Sequence, residues 1–333
     1  MRGYPAPSNP GPHAAVTAAA GARGRARPDR RARPAGIGSG VGPPLHLMTP
    51  SLILLAAIVY APLLVACYIS VTALNQYTIT DWLHAPFVGL RHYLDGLDPR
   101  GPLGGSLLGS IRASLLFSLL TTCFITPIGL GAALLFNRPL RGQAVFRAIM
   151  LLPYIIPTFV NAIVWRLIFM NDRGVANQIL SALHLAPRDT FWLIGPNSLW
   201  AMVAADVWAS WPLIYMMALA GLQVIPLELY DAAAIDGASG VAAFRYVTLP
   251  LLGATLSLAL LLSTINHFNN FTLPFVMFGT NPPVQVNVLP LNVYVHSFIT
   301  FNFGFGAAMS IVALIVVMIP AILYLRATRL GEA

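Results

Sequence analysis

Lysine is absent: all 19 basic residues of the 333-residue chain are arginine. A P-loop places a lysine ammonium on its phosphates, and Schiff-base chemistry needs a lysine amine. The chain is therefore neither a conventional P-loop ATPase nor a Schiff-base enzyme, and any ATP hydrolysis must come from another subunit. Charge of either sign is scarce, at 9% of residues against 57% hydrophobic, which excludes an ordinary soluble domain. The two cysteines, Cys67 and Cys123, fall inside apolar runs and read as small core residues rather than a disulfide framework. No H-E-x-x-H, C-x-x-C or Ser/His/Asp constellation stands out. A membrane enzyme is thus disfavoured, and neither a metal nor a bound cofactor is expected.

What the chain has instead is apolar blocks of about 20 residues, long enough to cross hydrocarbon as helices. Six spans are expected, at about Pro50 to Ala73, Ala113 to Phe136, Ala148 to Phe169, Asn197 to Ala220, Thr248 to Phe275 and Phe303 to Leu325. This predicts an all-α polytopic membrane protein, residues 48–333, behind a tail of residues 1–47. The tail carries seven arginines among Pro, Gly and Ala and is expected to be disordered, since it cannot bury enough apolar surface. It reads as a solvated topology anchor, with contact to anionic lipid headgroups as the alternative and no nucleic-acid partner. Without the tail, the segments on one side hold six arginines in 46 residues and those on the other five in 93. The positive-inside rule then puts both termini in the cytoplasm. Pro62, Pro127, Pro153, Pro157, Pro212, Pro274 and Pro320 stud the spans and are expected to bend them.

One hydrophilic stretch, Ile225 to Pro250, lies between two apolar runs and must leave and re-enter the bilayer on the same side. Pro226 suits a helix start, Gly237 a helix end, and Ser239 the cap of a second short helix to Val247. Leu229, Ala232 and Ala233 share a face on the first helix, and two alanines there let another backbone approach closely. The stretch reads as a docking knob.

Polar side chains in mid-span are expensive and face a cavity or a partner helix. Asp206 and Ser210 share a face of the fourth span, with Trp208 and Trp211 nearby. Ser263, Asn266, His267, Asn269 and Asn270 form a polar run in the fifth, with Ser263, His267 and Asn270 expected on one stripe. Hydroxyl-binding groups and aromatic faces together suit a sugar; a structural pair between Asp206 and His267 is the plainer alternative. Arg166 is expected to snorkel to the outer surface, and Trp82, Trp192 and Trp200 to sit in the interfacial belt.

The Ile225–Pro250 stretch resembles the EAA loop of ABC-importer permeases, roughly E-A-A-x-x-x-D-G-A or E-A-A-x-x-D-G-A, then Phe, then Leu-Pro. Here Asp231, Ala232, Ala233, Asp236, Gly237, Ala238, Phe244, Leu249 and Pro250 carry it. Asp231 stands in the glutamate position, one carbon shorter, and Ala254 where many members have a second proline. Phe87-Val88-Gly89-Leu90-Arg91-His92-Tyr93, Asn137-Arg138-Pro139-Leu140-Arg141-Gly142, Phe268-Asn269-Asn270-Phe271 and Arg326-Ala327-Thr328-Arg329 resemble sugar permeases of the maltose/glycerol-3-phosphate type. The resemblance runs from Pro50 to the end.

It implies a type I ABC-importer permease fold in a bacterial or archaeal inner membrane. It also implies import of a sugar or polyol with four kinds of partner: membrane lipid, a second and different permease chain, two ATP-binding subunits and an outer substrate-binding protein. ATP is used by the partner subunits. Asp231, Ala232, Ala233, Asp236, Gly237, Ala238 and Phe244 would dock the ATPase. Asp206, Ala209, Ser210, Leu213, Ser263, His267 and Asn270 would face the substrate pathway, while Ala209 and Leu213 offer only apolar contact. The rival reading is an ion-coupled secondary transporter, which would want paired carboxylates; Asp206 is the only acid in mid-span.

Overall fold

The computed structural model describes residues 45–331 apart from 101, 102, 104, 139, 140 and 172. Residues 1–44 of the tail, and Pro139 and Leu140 of the loop after the second span, lie outside the described residues; the tail's last three residues, expected to be disordered, instead begin a helix. The chain divides into two units, residues 1–54 and residues 55–333. In the first, the described residues open the helix Leu45–Leu55. The second is a helical bundle.

Among the described residues, five helical stretches are long and apolar enough to cross a membrane: Met48–Ser70, Ser106–Phe136, Asn197–Val224, Gly240–Phe278 and Phe303–Arg326. A sixth span forms if Gln143–Ile155 and Thr158–Ile168, bent by 85°, are taken together. The third span is thus broken where a single helix is expected. Pro157 is responsible: it has no amide donor, and it holds Ile156 in extended backbone, ψ 127°. The second span starts at Ser106, a full turn and more before Ala113.

The bundle is built around the second and fourth spans. Ser110, Ser114, Ser118, Thr121, Gly129 and Ala133 lie on the buried face of the second span, and these small residues let the neighbouring backbones come close. Ser114 Oγ accepts from the Leu289 amide at 2.7 Å, and Ser118 Oγ donates to the Thr264 carbonyl at 3.0 Å. Asn292 reaches Ser110 Oγ and, at 3.1 Å, the Ser106 carbonyl, which ties the short helix Leu289–Tyr294 to the same face. A β-carbon added at Gly129 would stand 2.7 Å from Ile214 Cβ and 2.8 Å from the Trp211 carbonyl oxygen. Gly129→Leu is therefore expected to destabilise the bundle by about 1–3 kcal/mol. A lowered unfolding midpoint of the purified protein would show it.

The outward faces are apolar, as lipid requires: Leu64 is 69% exposed and Leu119 67%. Both cysteines lie on such faces, contrary to their expected place in the core. In a membrane the outer face is itself non-aqueous, so a small apolar residue gains nothing by turning inward. Trp192, just before the fourth span, packs against Phe169 and donates to Asn177 Oδ1 at 2.6 Å, at the edge of a core cluster. Arg166 donates to the Val276 carbonyl at 3.2 Å, which joins the third span to the helix Thr272–Phe278.

Candidate functional site

The fifth span does not run as one helix to Phe275. Its long helix, Leu249–Phe268, stops at Asn269, and a short one, Thr272–Phe278, follows. Asn270 Oδ1 accepts from the Leu273 amide at 3.2 Å, meeting one orphan donor at the start of the second helix. Asn270 therefore lies off the helical stripe of Ser263 and His267, and a turn brings it to the same place.

That place is a cavity of about 330 Å³ between the third, fourth and fifth spans. Asp206, Ala209, Ser210 and Leu213 line it from the fourth span, and Ser263, His267 and Asn270 from the fifth. All seven residues singled out in the sequence share this one wall. Asn266 and Asn269, from the same polar run, also line it. Trp208 and Trp211 do not. The lining stripe of the fourth span runs i, i+3, i+4, i+7, and neither tryptophan falls on it. Trp208 instead packs edge-on to Trp165, and Trp211 packs against Tyr215. The aromatic faces come from Tyr154 and Phe271.

Sequence reasoning missed the contribution of the third span: Tyr154, Ile156, Thr158 and Asn161. The signals were present in two prolines four apart and one mid-span asparagine. The break at Pro157 opens the helix so that residues on both sides of it turn toward the fourth span.

The cavity's one carboxylate is heavily engaged. Asp206, 4% exposed, accepts at Oδ1 from Asn270 Nδ2 at 3.3 Å and from Ser210 Oγ at 3.4 Å. Its Oδ2 stands 2.7 Å from His267 Nδ1. The approach is too oblique for an aligned hydrogen bond. We read it as a short polar contact between the carboxylate and a ring N–H, because two lone pairs do not rest so close. The His267 ring also meets Phe117 edge to face, with centroids 6.4 Å apart. The Asp206–His267 pair foreseen as the structural alternative is thus present and is itself part of the cavity wall. Three further buried polar atoms find no protein partner: Asn161 Oδ1, Ser263 Oγ and His267 Nε2. No group of three or more metal-binding side chains occurs among the described residues.

At the other end of the fourth span, Leu227–Ile235 forms a short helix behind Pro226. It closes as the sequence predicts. Gly237, at φ +77°, takes the left-handed turn, with its amide on the Ala234 carbonyl at 3.1 Å and the Ala238 amide on Ala233 at 2.9 Å. Ser239 Oγ caps the next turn by accepting from the Ala242 amide at 3.3 Å. That second helix does not stop near Val247. Gly240–Ala243 passes through a wide turn, Phe244–Thr248, straight into Leu249–Phe268.

Asp231, Ala232 and Asp236 are exposed, whereas Ala233, Ala238 and Phe244 are half-buried. Tyr230 holds the helix to this rod through Thr248 Oγ1 at 3.0 Å. Removing that bond with Tyr230→Phe is expected to cost about 1 kcal/mol. Faster amide exchange over residues 227–238 is the measurement.

A bundle of broken apolar helices around a polar cavity, with a compact helix-turn loop at one end, defines a polytopic membrane permease. Residues 125–330 match the family described as binding-protein-dependent transport system inner membrane component, and the chain belongs to that family. It is 38% identical to the trehalose/maltose transport system permease protein MalF of Thermococcus litoralis over 248 residues, 73% of this chain and 80% of that one. It is 30% identical to the sulfoquinovosyl glycerol transport system permease protein SmoG of Agrobacterium fabrum, over 85% and 89% of the two chains. The sn-glycerol-3-phosphate permease protein UgpA of the same organism is 28% identical, over 83% and 90%. Among solved structures, the fold is shared with a bacterial alginate ABC transporter in complex with its alginate pentasaccharide-bound periplasmic protein. The TM-score is 0.68 at 17% identity, covering 84% of this chain and 91% of that one. The chain is a multi-pass inner-membrane permease component of an ABC importer.

Proposed function

We propose that this chain forms half of the pathway for a sugar or related polyol in an ATP-driven, binding-protein-dependent importer. The observation that carries the reading is the polar cavity: donors, acceptors and two aromatic faces converge inside an otherwise apolar bundle. The relatives named above act on carbohydrates or a polyol phosphate, which agrees with that lining. Residues 48–333 make up the permease domain, with both termini and the loop 225–250 on the cytoplasmic side. The chain has no ATPase site and needs no cofactor of its own. Two ATP-binding subunits grip the exposed face of Leu227–Ile235, and a different permease chain completes the pathway. A loaded binding protein docks on the outer loops.

Motion requires that ATP and the loaded receptor each bind one state of the bundle better than the other. Closing the ATPase pair carries the loop helices inward, and the loop moves the fifth span with it. The test is uptake of labelled sugar into vesicles holding the purified assembly. Uptake is expected only when ATP, the ATPase subunits and the binding protein are all present. Uptake driven by an ion gradient without nucleotide would overturn the reading.

A further inference from the structure

We infer that the short helix Arg91–Leu97 lies in the headgroup layer of the bilayer, with its leucine stripe sunk to the start of the acyl chains. It thereby anchors the ends of three spans to the membrane surface. The inference goes beyond the transport reading and is independent of the solute that the cavity takes.

The helix is the wrong way round for a surface that meets water. Its bundle side carries polar or minimal residues. His92 Nε2 bonds the Thr72 carbonyl at 2.9 Å, Tyr93 donates to Ser70 Oγ at 2.8 Å, and Gly96 is buried. Leu90, Leu94 and Leu97, at i, i+4 and i+7, share a face turned away from the bundle and are 65%, 67% and 45% exposed. Phe87, just before the helix, is 77% exposed.

Three span ends fix the depth of this face. Ser70, which Tyr93 grips, closes the last helix of the first span, Ala61–Ser70. A β-carbon added at Gly96 would stand 3.0 Å from Leu107 Cβ and 2.7 Å from Phe305 Cε2, in the first turns of the second and sixth spans. Span ends mark the level where hydrocarbon gives way to headgroups. Leucines turned away from the bundle at that level meet the boundary where amphipathic helices lie. The lipid-facing side of the first span runs into the same layer. Leu64 and Tyr68 are one turn apart, and Tyr68 donates to the Leu83 carbonyl at 2.6 Å and meets Trp82 edge to face. A tyrosine and a tryptophan paired there suit the interfacial belt.

Charge has little part in the contact. Arg91, beside the stripe, is paired with Asp95, Nε to Oδ2 at 3.4 Å, so a zwitterionic lipid suffices. A soluble receptor is a poorer occupant, because the leucines would stand bare in water whenever it leaves.

The experiment is spin-label accessibility on the purified transporter assembly in phosphatidylcholine nanodiscs. Labels go on Leu94→Cys, on Leu97→Cys as a second reporter, and on Tyr77→Cys as the aqueous reference, all with Cys67→Ala and Cys123→Ala. Tyr77 is 84% exposed in a polar pocket with Asn75 and Gln76. Relative to the label at 77, those at 94 and 97 are expected to favour dissolved oxygen over a water-soluble nickel chelate at least about threefold. Added phosphatidylglycerol is expected to leave that ratio unchanged. Nickel access at 94 and 97 equal to that at 77 would overturn the inference. Loss of collisions with both reagents would assign the face to the second permease chain and overturn it as well. So would shielding that appears only with loaded binding protein, which marks a receptor surface, or burial that requires phosphatidylglycerol, which marks a contact held by charge.

Discussion

Ala232→Trp is expected to abolish uptake while leaving the permease folded. The side chain at 232 is exposed on a helix whose neighbours are also bare: Leu227 is 75% exposed and Ile235 86%. Apolar residues so exposed on a polar loop mark a surface made for a partner. An indole there adds bulk where two backbones must come close. Substitution at an exposed helical site changes stability by only a few tenths of a kcal/mol, so the loss is one of docking. Receptor-stimulated ATP hydrolysis is expected to fall about a hundredfold, which corresponds to about 2.7 kcal/mol of lost contact. Copurification with the ATPase subunits should fail in parallel. Wild-type hydrolysis in the Trp variant would remove Leu227–Ile235 as the docking element. Gly237→Val should give a milder version of the same defect. Its β-carbon meets nothing within 4 Å, but a left-handed φ of +77° costs a β-branched residue about 1–2 kcal/mol.

The second large effect belongs to Asp206. Asp206→Ala removes the acceptor shared by Asn270 and Ser210 and leaves the His267 ring without its partner at 2.7 Å. The imidazole left behind is buried without its short contact, so fold stability should fall by about 1–3 kcal/mol. The loss of transport should be larger, about a hundredfold, because three wall residues lose their fixed orientation at once. Asp206→Asn keeps the shape and one acceptor, so it should retain much more. The comparison separates two roles. An interhelical clasp would lower the unfolding midpoint and leave sugar-stimulated ATP hydrolysis untouched. A cavity wall would do the reverse.

How far these features were legible in the sequence depended on the range of the forces involved. The cap at Gly237, the turn at Ser239 and the shared face of Asp206 and Ser210 are local and follow from spacing; Ala209 and Leu213 were named only through the resemblance to sugar permeases. Asn270 joined the right wall for a different reason than its spacing suggested, since the helix ends at Phe268 and a turn presents it. Pro157 announced a break, but a missing amide fixes neither the angle nor the neighbour toward which the freed segment turns. Tyr154 and Asn161 were hidden for that reason. Cys67 and Cys123 were misplaced because an apolar residue inside a span has two acceptable faces, and periodicity does not say which one meets lipid.

The uninterrupted run from Gly240 through the wide turn Phe244–Thr248 to Phe268 has a mechanical meaning. At 1.5 Å per residue, Gly240 and Ser263 are about 35 Å apart along a single shaft. A twist applied at the Gly240 end would be delivered as torque to Ser263 and His267 in the cavity lining, with no joint between them except the five-residue turn. Stiffening or loosening that turn would then set how much of the loop's movement reaches the cavity.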